Sequence, residues 1–271
     1  MLAVMRAYDL TMTIDRPETP IGPLLREWRN RRKISQLDLS IDAAISSRHL
    51  SFVETGRSKP SRDMVLRLAE RLEIPIRERN QLLLAAGFAP AYTSLDLDAD
   101  EMRPIKAAIE QVLAAYEPFP SLVVDRGWHL VAANAGLPMM LEGVSEDLLA
   151  PPINVLRASL HPDGLAPRIV NLAEWRGHVL ERLGREIAVT ASDELRDLYA
   201  ELIAYPGGLE PGSPEGQVAV PLRLRTNTSE LAFISTVTTF GTAVDVTLAE
   251  LSIEAFLPAD QQTADALRGT G

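Results

Sequence analysis

The sequence predicts two domains, an all-α domain followed by an α+β domain with an antiparallel sheet. Five short helical patterns, bounded by capping residues or glycines, fill residues 20–88. Residues 102–260 show two strand-like runs, a helical middle and three further strand-like runs. The charge divides at the same place: residues 20–88 carry 13 Lys and Arg against 8 Asp and Glu, whereas residues 89–271 carry 12 against 26.

Composition excludes several classes of protein. The 271 residues suffice for two domains of about 100–150 residues each. The chain contains no cysteine, which excludes disulfides, thiol catalysis and cysteine-based zinc sites. No apolar run approaches the roughly 18–20 residues that cross a bilayer. The N-terminus lacks the pattern of a signal peptide, so the sequence predicts a cytoplasmic protein.

Capping signals define the helices of the first domain. Ser35 and Ser46 stand where N-caps are expected for the second and third helices. Gly56 ends the third helix, because glycine readily adopts the left-handed conformation of helix ends. Pro60 and Ser61 open a fourth helix, and a fifth is predicted over residues 76–86. The second and third helices, joined by a very short connection, form a helix-turn-helix.

The third helix lies in the run SSRHLSFVETGRSKPS at residues 46–61. Leu50 and Val53 have the spacing of core residues, so the opposite face is free to enter a DNA major groove. Arg48 can offer a two-pronged donor to guanine. The residues predicted to contact DNA are Ser47, Arg48, Ser51 and Phe52 on the reading face, His49 at its boundary, Ser46 at the helix start, and Gln36, Arg57 and Lys59 on phosphates.

The same pattern also fits a compact helical domain that does not bind DNA. Arg48, Ser51 and Phe52 would then be ordinary solvated or partly packed surface residues. The charge division favours DNA, because a basic module concentrates near phosphate. The acidic residues 89–271 would be repelled from DNA, but their charge is more simply interpreted as an aid to solubility.

Residues 21–73 carry a longer pattern. It consists of Leu25, Arg29, Ser35-Gln36, Leu39, Ile45-Ser46, Leu50-Ser51, Val53-Glu54, Gly56, Pro60-Ser61, Leu68-Ala69 and Leu72. This pattern resembles the Cro/C1-type (XRE) helix-turn-helix family. Ala44 departs from it where Gly is usual, and Lys33 where Gly or Asn is common. The run at residues 46–61, together with RERNQLLLAAGFAPAY at residues 77–92, is similar to a narrower group, the MmyB-like transcription regulators.

The second domain is predicted to follow a linker at residues 89–101. A helix over residues 102–116 precedes two strands joined by a two-residue Arg126-Gly127 turn. Helices are expected at residues 166–183 and 192–205 with a loop between them. The last expected strands are 218–225, 231–240 and 244–256, and the sheet is expected to carry its helices on one face. Residues 1–19 are predicted as an N-terminal arm and residues 261–271 as a C-terminal tail.

This order of elements is similar to that of PAS-type sensor domains. The MmyB-like resemblance, which extends to LVVDRGWHLVAANA at residues 122–135 and to residues 148–183 and 231–260, likewise implies a PAS-like domain that binds a fatty-acid-like ligand. The predicted ligand-binding residues are Asn134, Arg168, Trp175 and Arg176, since an arginine at a pocket mouth suits a carboxylate. Alternatives stay open: Asn134 also fits a helix cap, Trp175 a core position, and the arginines surface ion pairs.

The sequence gives no sign of an enzyme. Phosphate-binding glycine loops, a nucleophile elbow and a recognisable catalytic triad are missing from it, and no cofactor is expected beyond a bound fatty acid. We therefore expect a ligand-responsive transcription regulator that binds a double-stranded DNA operator as a homodimer. The alternative is a DNA-binding regulator whose second domain serves dimerisation or protein interaction without a small ligand.

Overall fold

The computed structural model describes residues 19–210, 219–227, 229–241 and 243–269. The predicted arm at residues 1–19 lies outside the described residues except for its last residue. None of the helices in these ranges is long and apolar enough to cross a membrane.

The first domain has the five helices that the sequence predicts. They are α1 (Ile21–Arg31), α2 (Gln36–Asp42), α3 (Ser47–Glu54), α4 (Arg62–Arg71) and α5 (Ile76–Ala85). The hydroxyl oxygens of Ser35 and Ser46 accept hydrogen bonds from the backbone N–H groups of Asp38 and His49, at 3.1 and 3.2 Å. These are the N-caps of α2 and α3. The helices enclose a core of fully buried leucines: Leu25, Leu50, Leu68 and Leu72.

The structure explains why glycine is usual in the two short connections. Lys33, after α1, has a φ of 56°, and Ala44, between α2 and α3, has a φ of 52°. Both values lie in the left-handed region, which residues with a Cβ occupy at a cost of about 1–2 kcal/mol. The chain adopts the turn geometry of the helix-turn-helix without the glycine that favours it.

The second domain is α+β with an antiparallel sheet, as predicted. Its helices are α6 (Arg103–Ala115), α7 (Val155–Leu160), α8 (Leu172–Thr190), α9 (Asp193–Ala204), α10 (Val246–Ala249) and α11 (Gln261–Arg268). Its strands are β1 (Ser121–Val124), β2 (Leu130–Ala133), β3 (Leu222–Arg225), β4 (Glu230–Thr239) and β5 (Ser252–Pro258). In the described part of the chain the strands form one sheet of order β2-β1-β5-β4-β3, with every neighbouring pair antiparallel.

Helices cover both faces of this sheet, so the prediction of helices on one face was wrong. Leu122 and Val124 of β1 join a large core with α8 and α9, whereas Val123 packs with Ile109 and Leu113 of α6 on the other face. The reason is that every residue of β1 is buried, since apolar residues occupy its positions toward both faces.

Two predicted element boundaries were also wrong. The predicted loop after residue 183 is helical, because α8 continues to Thr190 and ends only at Ala191, whose φ is 62°. Ion pairs one turn apart, such as Glu181–Arg185, favour this continuation. The strand expected over residues 244–256 begins instead with the short helix α10. Asp245 causes the change, since its carboxylate accepts the N–H groups of Thr247 and Leu248.

The hairpin connection and the C-terminal segment differ from expectation as well. Residues 125–129 join β1 and β2, where a two-residue turn was predicted. The Asp125 carboxylate accepts the N–H groups of Gly127 and His129, and Trp128 adopts a φ of 65°. Residues 261–268, predicted as part of a tail, form α11 and bury Leu267.

Contacts join the two domains at two places. At the first, Nε and Nη2 of Arg77 in α5 donate to Glu250 at 2.6 Å each, and Arg126 donates to the same carboxylate at 3.2 Å. At the second, Arg32 after α1 donates to the carbonyl of Leu72 at 2.9 Å and to that of Val189 in α8 at 3.2 Å. The C-terminal end of α8 therefore rests on the first domain.

The predicted linker at residues 89–101 is held to both domains. Asn80 in α5 accepts the N–H of Ala91 at 2.9 Å and donates to the carbonyl of Tyr92 at 2.8 Å. Further along, the N–H of Leu95 donates to Asp245 at 3.0 Å. The linker runs from one domain to the other with hydrogen bonds at each end.

Candidate DNA-reading face and apolar cavity

The structure orients α3 as its residue spacing predicts. Leu50 and Val53 are completely buried in the first domain. Ser47 and Arg48 are exposed on the opposite side, and Ser51 and Phe52 are half-buried beside them. A polar helix face with exposed N-terminal residues is the surface that helix-turn-helix proteins place in the major groove.

Phe52 lies between two arginines on this face. The guanidinium carbons of Arg48 and Arg57 are 5.4 and 5.9 Å from the centroid of its ring. Such cation–π contacts are worth about 0.5–1 kcal/mol each at exposed sites. They restrict where the two cations lie, while the N–H groups in the guanidinium planes remain available to bases and phosphates. The single ring of Phe52 thus contacts the guanidinium groups of both Arg48 and Arg57.

A buried ion pair fixes the end of α3 against α1. Arg29 donates to both oxygens of Glu54, at 2.7 and 3.0 Å, and the Glu54 side chain is 1% exposed. The hydrogen bond to Glu54 raises the pKa of Arg29, against the opposing effect of burial. Gln36 in α2 donates to the same carboxylate at 2.7 Å. Glu54 therefore ties α1, α2 and α3 together.

Two predicted DNA contacts, Gln36 and Ser46, have side-chain hydrogen bonds within the first domain. The Gln36 amide uses one of its two N–H donors on Glu54 and keeps the other. The Ser46 hydroxyl accepts the N–H of His49 and keeps its own hydrogen to donate. His49 is half-buried, and its Nε2 has no hydrogen-bond partner among the described residues. Arg57 and Lys59 are both exposed after α3.

An apolar cavity lies inside the second domain, between the sheet and helices α7 and α8. Its volume is about 60 Å³. Side chains from the sheet, the helices and the segment after β2 line it, among them Trp128, Met140, Leu156, Trp175, Val179 and Phe256. The cavity is enclosed by the main core of the domain, to which all six of these residues belong.

Charged groups meet at one end of this cavity. Arg182 of α8 donates to the buried Glu254 of β5 at 3.1 Å, and its guanidinium carbon lies 4.3 Å from the centroid of the Trp128 ring. The Ser235 hydroxyl donates to the same Glu254 oxygen, Oε1. Nε of Arg182 is also 3.5 Å from Glu186. Arg182 and Glu254 both line the cavity.

Two further titratable groups are perturbed there. Burial, followed by the nearby charges of Arg182 and Arg185, lowers the pKa of His178. Burial raises the pKa of Glu186, although the indole N–H of Trp128 donates to it at 2.9 Å and opposes that change. His178, which lines the cavity against Trp175, is consequently uncharged at neutral pH.

Comparison with known proteins identifies both domains. The model of the MmyB-like transcription regulator ligand binding domain matches residues 105–269, more than half of the chain. The chain belongs to the MmyB-like transcription regulator family. A helix-turn-helix domain model matches residues 21–82. RghRB of Bacillus subtilis (strain 168), an uncharacterized HTH-type transcriptional regulator, is 30% identical over 118 residues, which are 43% of this chain and 76% of that protein.

The structure brings one of the four predicted ligand residues to the cavity of this MmyB-like regulator. Trp175 lines it. Asn134 instead donates to the carbonyl of Phe119 at 2.8 Å, Arg168 to that of Met140 at 3.0 Å, and Arg176 to that of Gly208 at 2.7 Å. These three side chains hold backbone segments together and do not line the cavity.

Sequence reasoning missed three titratable residues that do line it, His178, Arg182 and Glu254. A signal for two of them was present, since Trp175, His178, Val179 and Arg182 recur at the spacing of a single helix face. For Glu254 the signal was a lone carboxylate inside the apolar run of β5. Within the described ranges, no group of three His, Asp or Glu side chains is arranged to hold a metal ion.

Proposed function

We propose that this MmyB-like regulator binds its DNA operator in response to a small apolar ligand held in the cavity. The observation that carries the proposal is the path of α8, which lines the cavity with Trp175 and Val179 and meets the first domain at Val189. The regulator acts on DNA in the cytoplasm as a homodimer. The two half-sites of its operator are about one helical turn apart. Its function is regulatory and not catalytic.

The DNA contacts proposed for this function are those of the α3 face. Arg48 reads a base, with Ser47, Ser51 and Phe52 beside it and His49 at the boundary. The proposed phosphate contacts are Gln36, Arg57 and Lys59, and Ser46 lies at the start of the reading helix. The support is the exposure of Arg48, Arg57 and Lys59 in a basic domain whose helices pack as the family pattern requires.

The ligand proposed is an apolar small molecule, with long-chain fatty acids as the class indicated by the family resemblance. Pockets for drug-sized ligands measure about 300–1,000 Å³, so a cavity of about 60 Å³ must open on binding. Met140 and Leu141 line it and follow the short 3₁₀ turn Leu137–Met139. Methionine is flexible enough to repack around a guest, which supports opening on this side. The proposed resemblance of the second domain to PAS domains is supported by the strand order of its sheet, β2-β1-β5-β4-β3.

Filling the cavity is expected to abolish the response to ligand. Val179→Phe places a larger side chain where Val179 lines the cavity and is 6% exposed. We expect a loss of about 1–3 kcal/mol of stability from overpacking, and operator affinity that no longer changes with ligand. Fluorescence anisotropy of labelled operator DNA measures this. Val237→Phe, at a position 44% exposed on β4, is the matched control and should respond as the parent protein does.

Helix α8 is the proposed connection between ligand and DNA. Its middle lines the cavity and its last carbonyls, from Ala188 and Val189, accept hydrogen bonds from Arg32 at 3.5 and 3.2 Å. Arg32 also donates to Leu72 and Glu73 at the end of α4. A ligand that separates α8 from the sheet would shift this contact, and so shift the population of domain arrangements.

Arg32→Ala is expected to uncouple the two sites. Allosteric coupling usually changes affinity by about 5–150-fold; in the variant the ligand should leave operator affinity nearly unchanged. Ligand binding, followed by tryptophan fluorescence, should persist, because Arg32 is remote from the cavity. Arg31→Ala is the control, since the neighbouring Arg31 pairs with Glu27 within α1. Equal coupling in both variants would contradict the assignment.

The alternative function, a dimerisation or protein-interaction domain without a small ligand, has one observation in its favour. Val237 and Val244 are exposed by 44% and 76%, and exposed apolar side chains are common where partners bind. Mass spectrometry of the purified, denatured protein separates the two functions. A co-purifying lipid supports the ligand, whereas its absence, with no thermal shift on adding fatty acids, supports the alternative.

A further inference from the structure

The charged end of the cavity holds no surplus positive charge. Arg182 is the cation that lines it, and two carboxylates, Glu254 and Glu186, lie 3.1 and 3.5 Å from its nitrogens. Burial raises the pKa of Glu186; even with Glu186 protonated, Glu254 alone balances Arg182. His178 adds no charge at neutral pH, and the more distant Arg185 pairs with Glu181 at 3.2 Å.

The carboxylate of Glu254 uses only one of its two oxygens in hydrogen bonds to neighbouring side chains. It is 6% exposed, and both Ser235 and Arg182 donate to a single oxygen of its carboxylate, Oε1. An ionised carboxylate offers about four lone-pair sites on its two oxygens. Glu254 therefore retains acceptor capacity for a donor that arrives inside the cavity.

A ligand carboxylate at this end would meet Glu254 in a poorly hydrated space. Two carboxylates that share a buried site repel each other, and one of them must take up a proton or stay away. A ligand ammonium group would be attracted to Glu254 but repelled by Arg182, which already pairs with that carboxylate and lies over the Trp128 ring. An uncharged donor such as a hydroxyl meets neither repulsion and still satisfies Glu254.

We propose that the cavity selects an apolar chain that ends in an uncharged hydrogen-bond donor, a hydroxyl group, which donates to Glu254, and that it discriminates against the carboxylate of the corresponding fatty acid. The inference rests on the proposed function, because it assumes that a ligand occupies this cavity. It goes beyond that function by assigning Glu254 as the residue that determines head-group specificity.

The test compares decanol, sodium decanoate and decylamine on the full-length protein near neutral pH. Two of the three tryptophans, Trp128 and Trp175, line the cavity, so quenching or enhancement of tryptophan fluorescence reports its occupancy. We expect decanol to bind at least about tenfold more tightly than decanoate, since like-charge juxtaposition in a desolvated site costs well over 1.4 kcal/mol. Decylamine should also bind more weakly than decanol.

Substitution of Glu254 provides the second arm. Glu254→Gln keeps an acceptor for the hydroxyl and removes the negative charge, so decanoate should gain about tenfold in affinity while decanol changes little. Glu230→Gln, at a carboxylate paired with Arg223 on the sheet edge, should leave all affinities unchanged. Should Glu254→Gln fail to fold, the ratio measured on the parent protein decides alone.

The outcomes separate the inference from the function on which it rests. Decanoate or decylamine binding as tightly as decanol overturns the head-group assignment but leaves the ligand site standing. Absence of binding by all three probes, in the fluorescence of Trp128 and Trp175, counts against the cavity as a ligand site. A decanol preference that Glu254→Gln does not reduce overturns the assignment of Glu254.

Discussion

Replacing Glu54 by glutamine is expected to destabilise the first domain by about 3–5 kcal/mol, the usual result of breaking a buried ion pair by removing one partner. Arg29 donates to both Glu54 oxygens, and their side chains are 10% and 1% exposed. The variant leaves the Arg29 charge in this buried place without a matching anion. Gln36 also loses its carboxylate partner. Native-state hydrogen exchange of the α1–α3 amides measures the change in unfolding free energy.

Two variants serve as controls for this result. Glu70→Gln removes an exposed carboxylate from α4 and should change stability by less than about 0.5 kcal/mol. The double variant Arg29→Leu/Glu54→Leu removes both buried charges and should recover most of the loss, since apolar replacements of buried pairs are often tolerated. Equal effects of Glu54→Gln and Glu70→Gln would show that the ion pair does not hold α3 in place.

Replacing Arg48 by alanine is expected to weaken operator binding by about 1–3 kcal/mol, or roughly 5–150-fold, and to relax specificity at one base pair. Arg48 is exposed near the start of α3, and the Phe52 ring restricts its guanidinium group. The operator is first selected from a random DNA library, and affinities are then measured on it and on each single-base variant. The loss should concentrate at one position of each half-site.

Lys59 and Arg103 provide the comparison for Arg48. Lys59→Ala should weaken binding to all sequences alike and lower the slope of affinity against salt by about 1, as a phosphate contact does. Arg103→Ala removes an exposed arginine of α6 that pairs with Asp100, and should not affect binding. An Arg48→Ala variant with unchanged affinity and specificity would contradict the assignment of base reading to this residue.

The helix-turn-helix was predictable because its signals are local. Ser35 and Ser46 cap the helices that follow them, and Gly56, with a φ of 73°, ends α3 where the sequence places its end. The alternation of Leu50 and Val53 with polar residues fixed which face turns inward. Each of these choices depends on residues within one or two turns.

The lining of the apolar cavity was less predictable because tertiary contacts decide which residues reach it. Arg168 and Arg176 have the chemistry of carboxylate binders, yet backbone carbonyls of distant segments, at Met140 and Gly208, accept their hydrogen bonds. Arg182 lies within a helix that the sequence predicts, but its contacts with Glu254 and the Trp128 ring depend on how that helix packs on the sheet. Glu254 faces the cavity from a strand whose predicted start, residue 244, was wrong. Buried polar groups take whichever partner the fold supplies.

The coupling of the cavity to DNA binding is tested most directly by the operator dissociation constant, measured with and without a ligand that occupies the cavity. Tryptophan fluorescence first establishes that the probe, decanol or a fatty acid, is bound. Operator affinity is then expected to change by about fivefold or more, and this change should disappear in Val179→Phe and Arg32→Ala. An operator affinity that stays the same while the cavity is occupied would contradict this coupling.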